Sequence, residues 1–270
     1  MKSIQSIRPP AVAGMFYPGD AQTMLDELRG YISAAPQGNA HPLAAVSPHA
    51  GWYYSGHVAG AVFASIDVPD RVILIGPNHR GRGEPLALDP HDAWEFPFGQ
   101  VPVDGELGAR LLGYCAELRE DAAAHADEHS LEVIVPFLYA KNPAVKVAPL
   151  CIGTHDPHRL GPLAAAVARA AKETGALVVA STDMTHYLPD RTARGIDGRM
   201  IETLRSLDPE KILSGALEDQ ALCGAGPVYV AVAAARENGA REFAVIRYAT
   251  SGDIEGRRDA VVGYGGFVIS

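Results

Sequence analysis

Val72-Ile73-Leu74-Ile75-Gly76-Pro77-Asn78-His79 decides the fold. Four apolar, mostly β-branched residues bounded by Gly-Pro are too short a run for a buried helix and read as a buried strand. A histidine follows at its end. The same pattern occurs twice more. Leu43 to Val46 leads into Ser47-Pro48-His49-Ala50-Gly51, and Leu177 to Ala180 leads into Ser181-Thr182-Asp183-Met184-Thr185-His186-Tyr187. Val145 to Leu150, Phe243 to Tyr248 and Val261 to Ile269 read as further strands.

Helical patterns separate these runs. Asp20 to Ile32 carries Met24, Leu25, Leu28 and Ile32 behind a capping Asp20. Leu131 to Tyr139 shows another apolar face. His158 to Lys172 follows Asp156-Pro157 and ends at Gly175, and Pro227 to Glu237 stops at Gly239. Strands alternating with helices predict an α/β protein, one domain over 1–270, with a central mainly parallel or mixed sheet and helices on both faces. No polar linker or repeat divides the chain.

Composition agrees with a large core: 47% of the 270 residues are hydrophobic and 20% charged. Lys and Arg total 23 against 32 Asp and Glu, a formal charge of −9 without any long basic run, so no nucleic-acid partner is expected. Cys115, Cys151 and Cys223 form no C-x-x-C pair, which speaks against a disulfide framework and for a reducing, cytoplasmic setting. No stretch is apolar for long enough to span a membrane, and Met1 to Pro10 lacks an apolar leader core.

In open α/β sheets ligands bind beyond the carboxyl ends of the strands. His49, His79, Asp183 and His186 all fall there. Cys223, in Leu222-Cys223-Gly224-Ala225-Gly226-Pro227, stands just before a predicted helix, whose N-terminal dipole favours a thiolate. Three imidazoles and a thiol suit a borderline-soft transition metal. Each residue also has a plainer reading: a loop imidazole satisfying backbone groups, or a small packed thiol. Trp52, Tyr53 and Tyr54 line a pocket or pack as wall. Arg80 and Arg82 meet an anion or stand solvated.

His125-Ala126-Asp127-Glu128-His129 fits the inverted zinc-protease spacing H-x-x-E-H. Ser130, Leu131 and Glu132 look like the entry to a helix beginning near His129, which leaves His125 on the preceding loop and off the ligating face. The expectation is that Glu128 or His129 faces the cleft while His125 points elsewhere; capping by Asp127 or Ser130 is the alternative.

Together these motifs resemble the Memo family, called AmmeMemoRadiSam system protein B in prokaryotes, whose fold is similar to LigB-type class III extradiol dioxygenases. The resemblance runs from Arg8-Pro9-Pro10-Ala11-Val12-Ala13-Gly14-Met15-Phe16-Tyr17-Pro18 to Gly263-Tyr264-Gly265-Gly266-Phe267. Its most specific pieces are Pro48-His49-Ala50-Gly51, Gly76-Pro77-Asn78-His79, Asp127-Glu128-His129-Ser130, Ser181 to Tyr187 and Cys223-Gly224-Ala225-Gly226-Pro227. It implies His49, His79 and Cys223 as metal ligands, with His186 completing the pocket as a further ligand or acid/base and Asp183 close by. Cys223 stands where the dioxygenases carry a carboxylate, so Fe(II) or copper is expected and zinc less so. The implied function is metal-dependent redox chemistry using His186, Asp183 and His129 on a small molecule or peptide. The alternatives are a non-catalytic peptide- or protein-binding cleft and zinc-dependent hydrolysis through residues 125–129. The other AmmeMemoRadiSam proteins are implied partners.

Overall fold

The computed structural model describes residues 6–270; residues 1–5, part of the segment read above as lacking a leader core, lie outside them. The chain runs β1 (Ile7–Arg8), α1 (Ala21–Ser33), β2 (Ala44–Ser47), α2 (Trp52–Ser65) and β3 (Arg71–Pro77). There follow β4 (Leu86–Leu88), β5 (Ala93–Phe96), β6 (Gly99–Pro102), α3 (Gly105–Tyr114), β7 (Arg119–Glu120), α4 (Val135–Lys141) and β8 (Lys146–Ile152). The second half adds α5 (Pro157–Thr174), β9 (Leu177–Ser181), β10 (His186–Leu188), α6 (Asp190–Arg205), α7 (Pro209–Glu218), α8 (Ala225–Glu237), β11 (Phe243–Thr250), α9 (Ser251–Glu255) and β12 (Val261–Ile269).

The main sheet is mixed, in the order β10-β12-β2-β9-β3-β8-β4-β7, with β11 also paired to β12. Its centre, β2-β9-β3-β8, is parallel; β12 against β2 and β4 against β8 are antiparallel. A small second sheet joins β1, β5 and β6. Side chains alternate across a strand, and β3 shows it. Ile73 and Ile75 face a core built with Leu160, Leu163 and Val167 of α5 and Val228 of α8. Val72 and Leu74 face a second core with Met24 and Leu28 of α1, Trp52 and Phe63 of α2, and Phe137 of α4. Both faces of the sheet are therefore covered, which accounts for its unbroken apolar runs.

Asp20 caps α1 through the amide of Thr23, as its sequence position predicts, and Gly175 ends α5 in the left-handed conformation, φ +69°. The helix expected over Leu131 to Tyr139 begins later, at Val135. Residues 130–134 are turns, and Pro136 occupies the first turn, where its missing N–H leaves no bond unmade. Among the described residues no helix is long and apolar enough to cross a membrane.

Candidate metal centre

His49, Asp183 and His79 each stand two residues beyond the last residue of β2, β9 and β3, three strands lying side by side. Parallel register sets Ser47 opposite Ser181, so the three loops leave the sheet at one level. Cys223 comes from the turn before α8. Its amide donates to the Asp183 carbonyl at 3.3 Å, and the Asp183 amide donates to its sulfur at 3.2 Å. Ligand-type atoms of His49, His79 and Cys223 lie within 4.8 Å of one another, with Cys223 Sγ 3.3 Å from His49 Nε2.

Two glycines permit this convergence. A Cβ on Gly76 would lie 2.6 Å from Leu131 Cδ2 and 2.8 Å from Ser130 Oγ, so only glycine lets the end of β3 touch the 128–131 loop. A Cβ on Gly224 would fall 2.8 Å from Thr182 Cβ and would overlap the Ser181 carbonyl. Gly224→Ala is therefore expected to push Cys223 off the end of β9 and lower stability by about 1–3 kcal/mol, the usual range for overpacking. Thermal unfolding of the variant checks this; an unchanged midpoint would contradict the close approach.

The hydrogen-bond network assigns each imidazole its tautomer. The Ser181 hydroxyl donates its one proton to the Ser130 carbonyl at 2.6 Å, so at 2.6 Å from His49 Nδ1 it accepts. His49 is protonated on Nδ1 and turns the lone pair of Nε2 toward Cys223. His79 Nδ1 donates to Glu128 Oε1 at 2.9 Å, which leaves its Nε2 as the lone-pair nitrogen. A partner on the far nitrogen is how ligating histidines are generally held.

The electrostatics also favour ligation. Burial, then the imidazoles of His79, His129 and His186, push His49 well below its ordinary value, so it stays neutral with its lone pair free. Burial holds His129 down at about 4. Burial pushes the Asp183 carboxyl up to about 6, against hydrogen bonds from the His49 and Ala50 amides. Burial works to raise Glu128 as well, but hydrogen bonds from His79 and Ser130 outweigh it and hold the carboxyl at about 2. For Cys223 the helix-dipole expectation needs correcting. Burial, then the Asp183 charge, pushes the thiol up to about 12, against hydrogen bonds from the Asp183 amide and the Thr182 hydroxyl. Without a cation beside it Cys223 is a thiol; a bound metal would stabilise its anion.

His186 lies at the start of β10, on the β12 side of the cleft. It lines the cavity but stands outside the set of ligand atoms within 4.8 Å of one another, so the fourth ligand expected from sequence is a cavity-wall residue in this structure. The reason is topological: β10 pairs antiparallel with β12, away from the adjacent ends of β2, β9 and β3. His129 does face the cleft, its ring stacked on His79 at 4.7 Å and 5.5 Å from His49. His125 points elsewhere. It is fully buried between Asp89, 3.7 Å from its Nδ1, and Trp94, so the H-x-x-E-H spacing does not gather its two histidines and the hydrolase reading loses its site. His79, Glu128 and His129 form a second group of the right spacing, but four N–H donors already occupy the Glu128 oxygens.

The cavity over the centre has a volume of about 720 Å³ and is lined by Phe16, Tyr54, His129, Asp183, His186 and Tyr264 among others. Arg80 lines it too, its Nε tied to the Asp127 carbonyl, while Arg82 pairs with the Asp127 carboxylate at the surface. Trp52 is buried core, whereas Tyr53 is exposed and Tyr54 reaches Glu255 across the cleft. Sequence reasoning missed Ser181 and Ser130. Their one visible signal was position, since Ser181 opens the same strand-end motif as Asp183.

Comparison with known proteins identifies the family of the chain. The Memo-like protein family model matches residues 8–268. The chain is 38% identical over 267 residues to a MEMO1 family protein of Methanococcoides burtonii, covering 97% of this chain and 100% of the relative. It is 39% identical over 265 residues to one of Archaeoglobus fulgidus, covering 97% and 99%, and 37% identical over 268 residues to one of Aquifex aeolicus, covering 97% and 98%. A family-model match over nearly the whole chain, with relatives 37–39% identical over almost their full length, places the chain in the Memo family.

Proposed function

We propose that the chain is a metal-dependent redox protein in which His49, His79 and Cys223 hold Fe(II) or copper. The observation that carries this reading is the orientation of the two imidazoles: each has Nδ1 engaged by a protein group, which leaves Nε2 as the lone-pair nitrogen, and the Cys223 sulfur stands 3.3 Å from that of His49. Two neutral nitrogens and a soft sulfur suit iron or copper, and the thiolate disfavours magnesium and calcium. A structural zinc site would close its shell with four protein ligands; three donors, two of them (His49 and His79) lining the cavity, suit an ion that must also meet a substrate.

Such an ion supplies one-electron chemistry. The chain's own groups do the rest. Asp183 accepts the amides of His49 and Ala50 and so fixes the loop that carries the first ligand. His129, neutral, stacked on His79 and packed against the tilted ring of Phe16, faces the cavity as a proton acceptor for substrate bound there. His186 offers a second proton-carrying group from the opposite wall. The aromatic lining and volume suit a small organic molecule or the side chain of a peptide. Three free cysteines fit a reducing, cytoplasmic compartment.

Elemental analysis of protein purified without chelator, followed by oxygen-uptake measurements, tests the reading. About one iron or copper per chain is expected, lost in His49→Ala. Zinc alone, or no uptake of Fe(II) or copper on anaerobic reconstitution, would overturn it. A second reading, a cleft that binds a peptide without chemistry, is favoured by the exposure of Met15 at 72%, Tyr53 at 64% and Tyr187 at 76%, each at or beside a cleft-lining residue. Under it, oxygen uptake would be absent from metal-loaded protein.

A further inference from the structure

Resting on the reading of this centre as a metal site, we propose that Glu128 is the positioning residue that presets His79 as a ligand. Its carboxylate is 1% exposed and makes two bonds to one residue: Oε2 accepts the His79 amide at 2.6 Å and Oε1 accepts His79 Nδ1 at 2.9 Å. Two contacts, one to the backbone and one to the ring, fix both where the loop leaves β3 and how the imidazole is turned. Oε1 also accepts the amides of His129 and Ser130 at 2.9 Å each, which ties the carboxylate to its own turn.

The two histidines are supported unequally, and the inequality follows their surroundings. His49 is 2% exposed and walled in, and a neutral hydroxyl from Ser181 suffices to orient it. The His79 side chain is 30% exposed: the His129 ring stacks on one face of it, and its outer side is open to solvent. A charge-assisted bond is roughly twice as strong as a neutral one, and it is placed on the more exposed of the two ligands. A carboxylate on Nδ1 also makes the outer nitrogen a stronger donor. Glu128 is itself anchored from below, since buried Arg8 donates Nη2 to the Glu128 carbonyl at 2.7 Å and Nε to the His125 carbonyl at 2.8 Å.

A purely structural role, closing the 128–130 turn, uses only the His129 and Ser130 amides. The two roles separate in a titration of metal-free protein with Co(II), read by its thiolate charge-transfer and d–d bands. Glu128→Gln removes the charge, and Glu128→Asp keeps the charge and the turn bonds but draws the carboxylate back from His79. Both are expected to weaken Co(II) binding by about 10- to 100-fold, the usual cost of losing such a partner, with the Cys223 charge-transfer band retained and the d–d bands shifted. In a His79→Ala background the same changes should cost nothing further, because residues acting through one another are not additive. Equal affinity in parent and Glu128→Asp, or an equal loss with and without His79, would overturn the proposal and leave the metal reading standing. A parent that shows no Cys223-dependent band would overturn both.

Discussion

Cys223→Ser is expected to weaken binding of Fe(II) or copper by more than the roughly 10- to 100-fold that follows loss of a group merely supporting a ligand. The hydroxyl stays protonated near neutral pH, so the site loses its one anionic, soft donor and keeps two neutral nitrogens. The thiol is itself pushed up to about 12 by burial and the Asp183 charge, and metal binding to it must therefore displace a proton. Serine has no comparable anion within reach. The fold should survive, because the side chains are nearly isosteric and a hydroxyl can still accept the Asp183 amide that now bonds to sulfur at 3.2 Å. Thermal unfolding reads both halves. Without metal the two proteins should unfold at nearly the same temperature. With metal at about 100 times its Kd the parent should gain about 2.7 kcal/mol and the variant far less. Equal gains would show that Cys223 is a packed small residue.

The sequence predicted this centre where local pattern and topology agree. Val72 to Ile75 is buried on both faces and ends at Gly76-Pro77, so its strand and its terminal histidine are visible together. The same holds for His49 and for Asp183. α2 was invisible for the opposite reason. Trp52 to Ser65 is packed on several sides, with Trp52, Val58, Val62 and Phe63 all buried and Gly60 pressed against the Tyr31 backbone, so no apolar stripe of period 3.6 marks it. His186 belongs to the wall because a pairing with β12 places it there, and long-range pairing leaves no local signal. Cys223 was read as a thiolate because its place before a helix is local information, whereas its burial beside Asp183 is made by residues some forty positions away in the chain.

What holds the 125–132 loop against the strand ends is also non-local, and it carries the largest effect on stability. Arg8 is 1% exposed and Glu132 fully buried, paired at 2.7 Å. Glu132 also accepts the amides of Ala11 and Val12 and the Tyr17 hydroxyl at 2.6 Å. Burial and the Glu132 charge push the Tyr17 phenol far up, so it remains a donor throughout the physiological range. The Arg8 guanidinium lies 4.1 Å above the Trp94 ring and satisfies two loop carbonyls. Glu132→Leu leaves a buried guanidinium, two amides and a phenol without their acceptor, and should destabilise the protein by about 3–5 kcal/mol, the cost of breaking a buried pair. Against a total stability of roughly 5–15 kcal/mol that is a large part of the whole. Adding Arg8→Met removes the orphaned charge, and replacing a buried pair by apolar groups is often close to neutral. The double variant should therefore unfold at higher denaturant than Glu132→Leu alone, yet below the parent, because the Ala11 and Val12 amides, the Tyr17 hydroxyl and the His125 and Glu128 carbonyls still lack partners. Urea unfolding of the parent, both single variants and the double measures this. Simple additivity would mean that the charge is solvated after all and that the segment from Arg8 to Tyr17 is held by packing rather than by the pair.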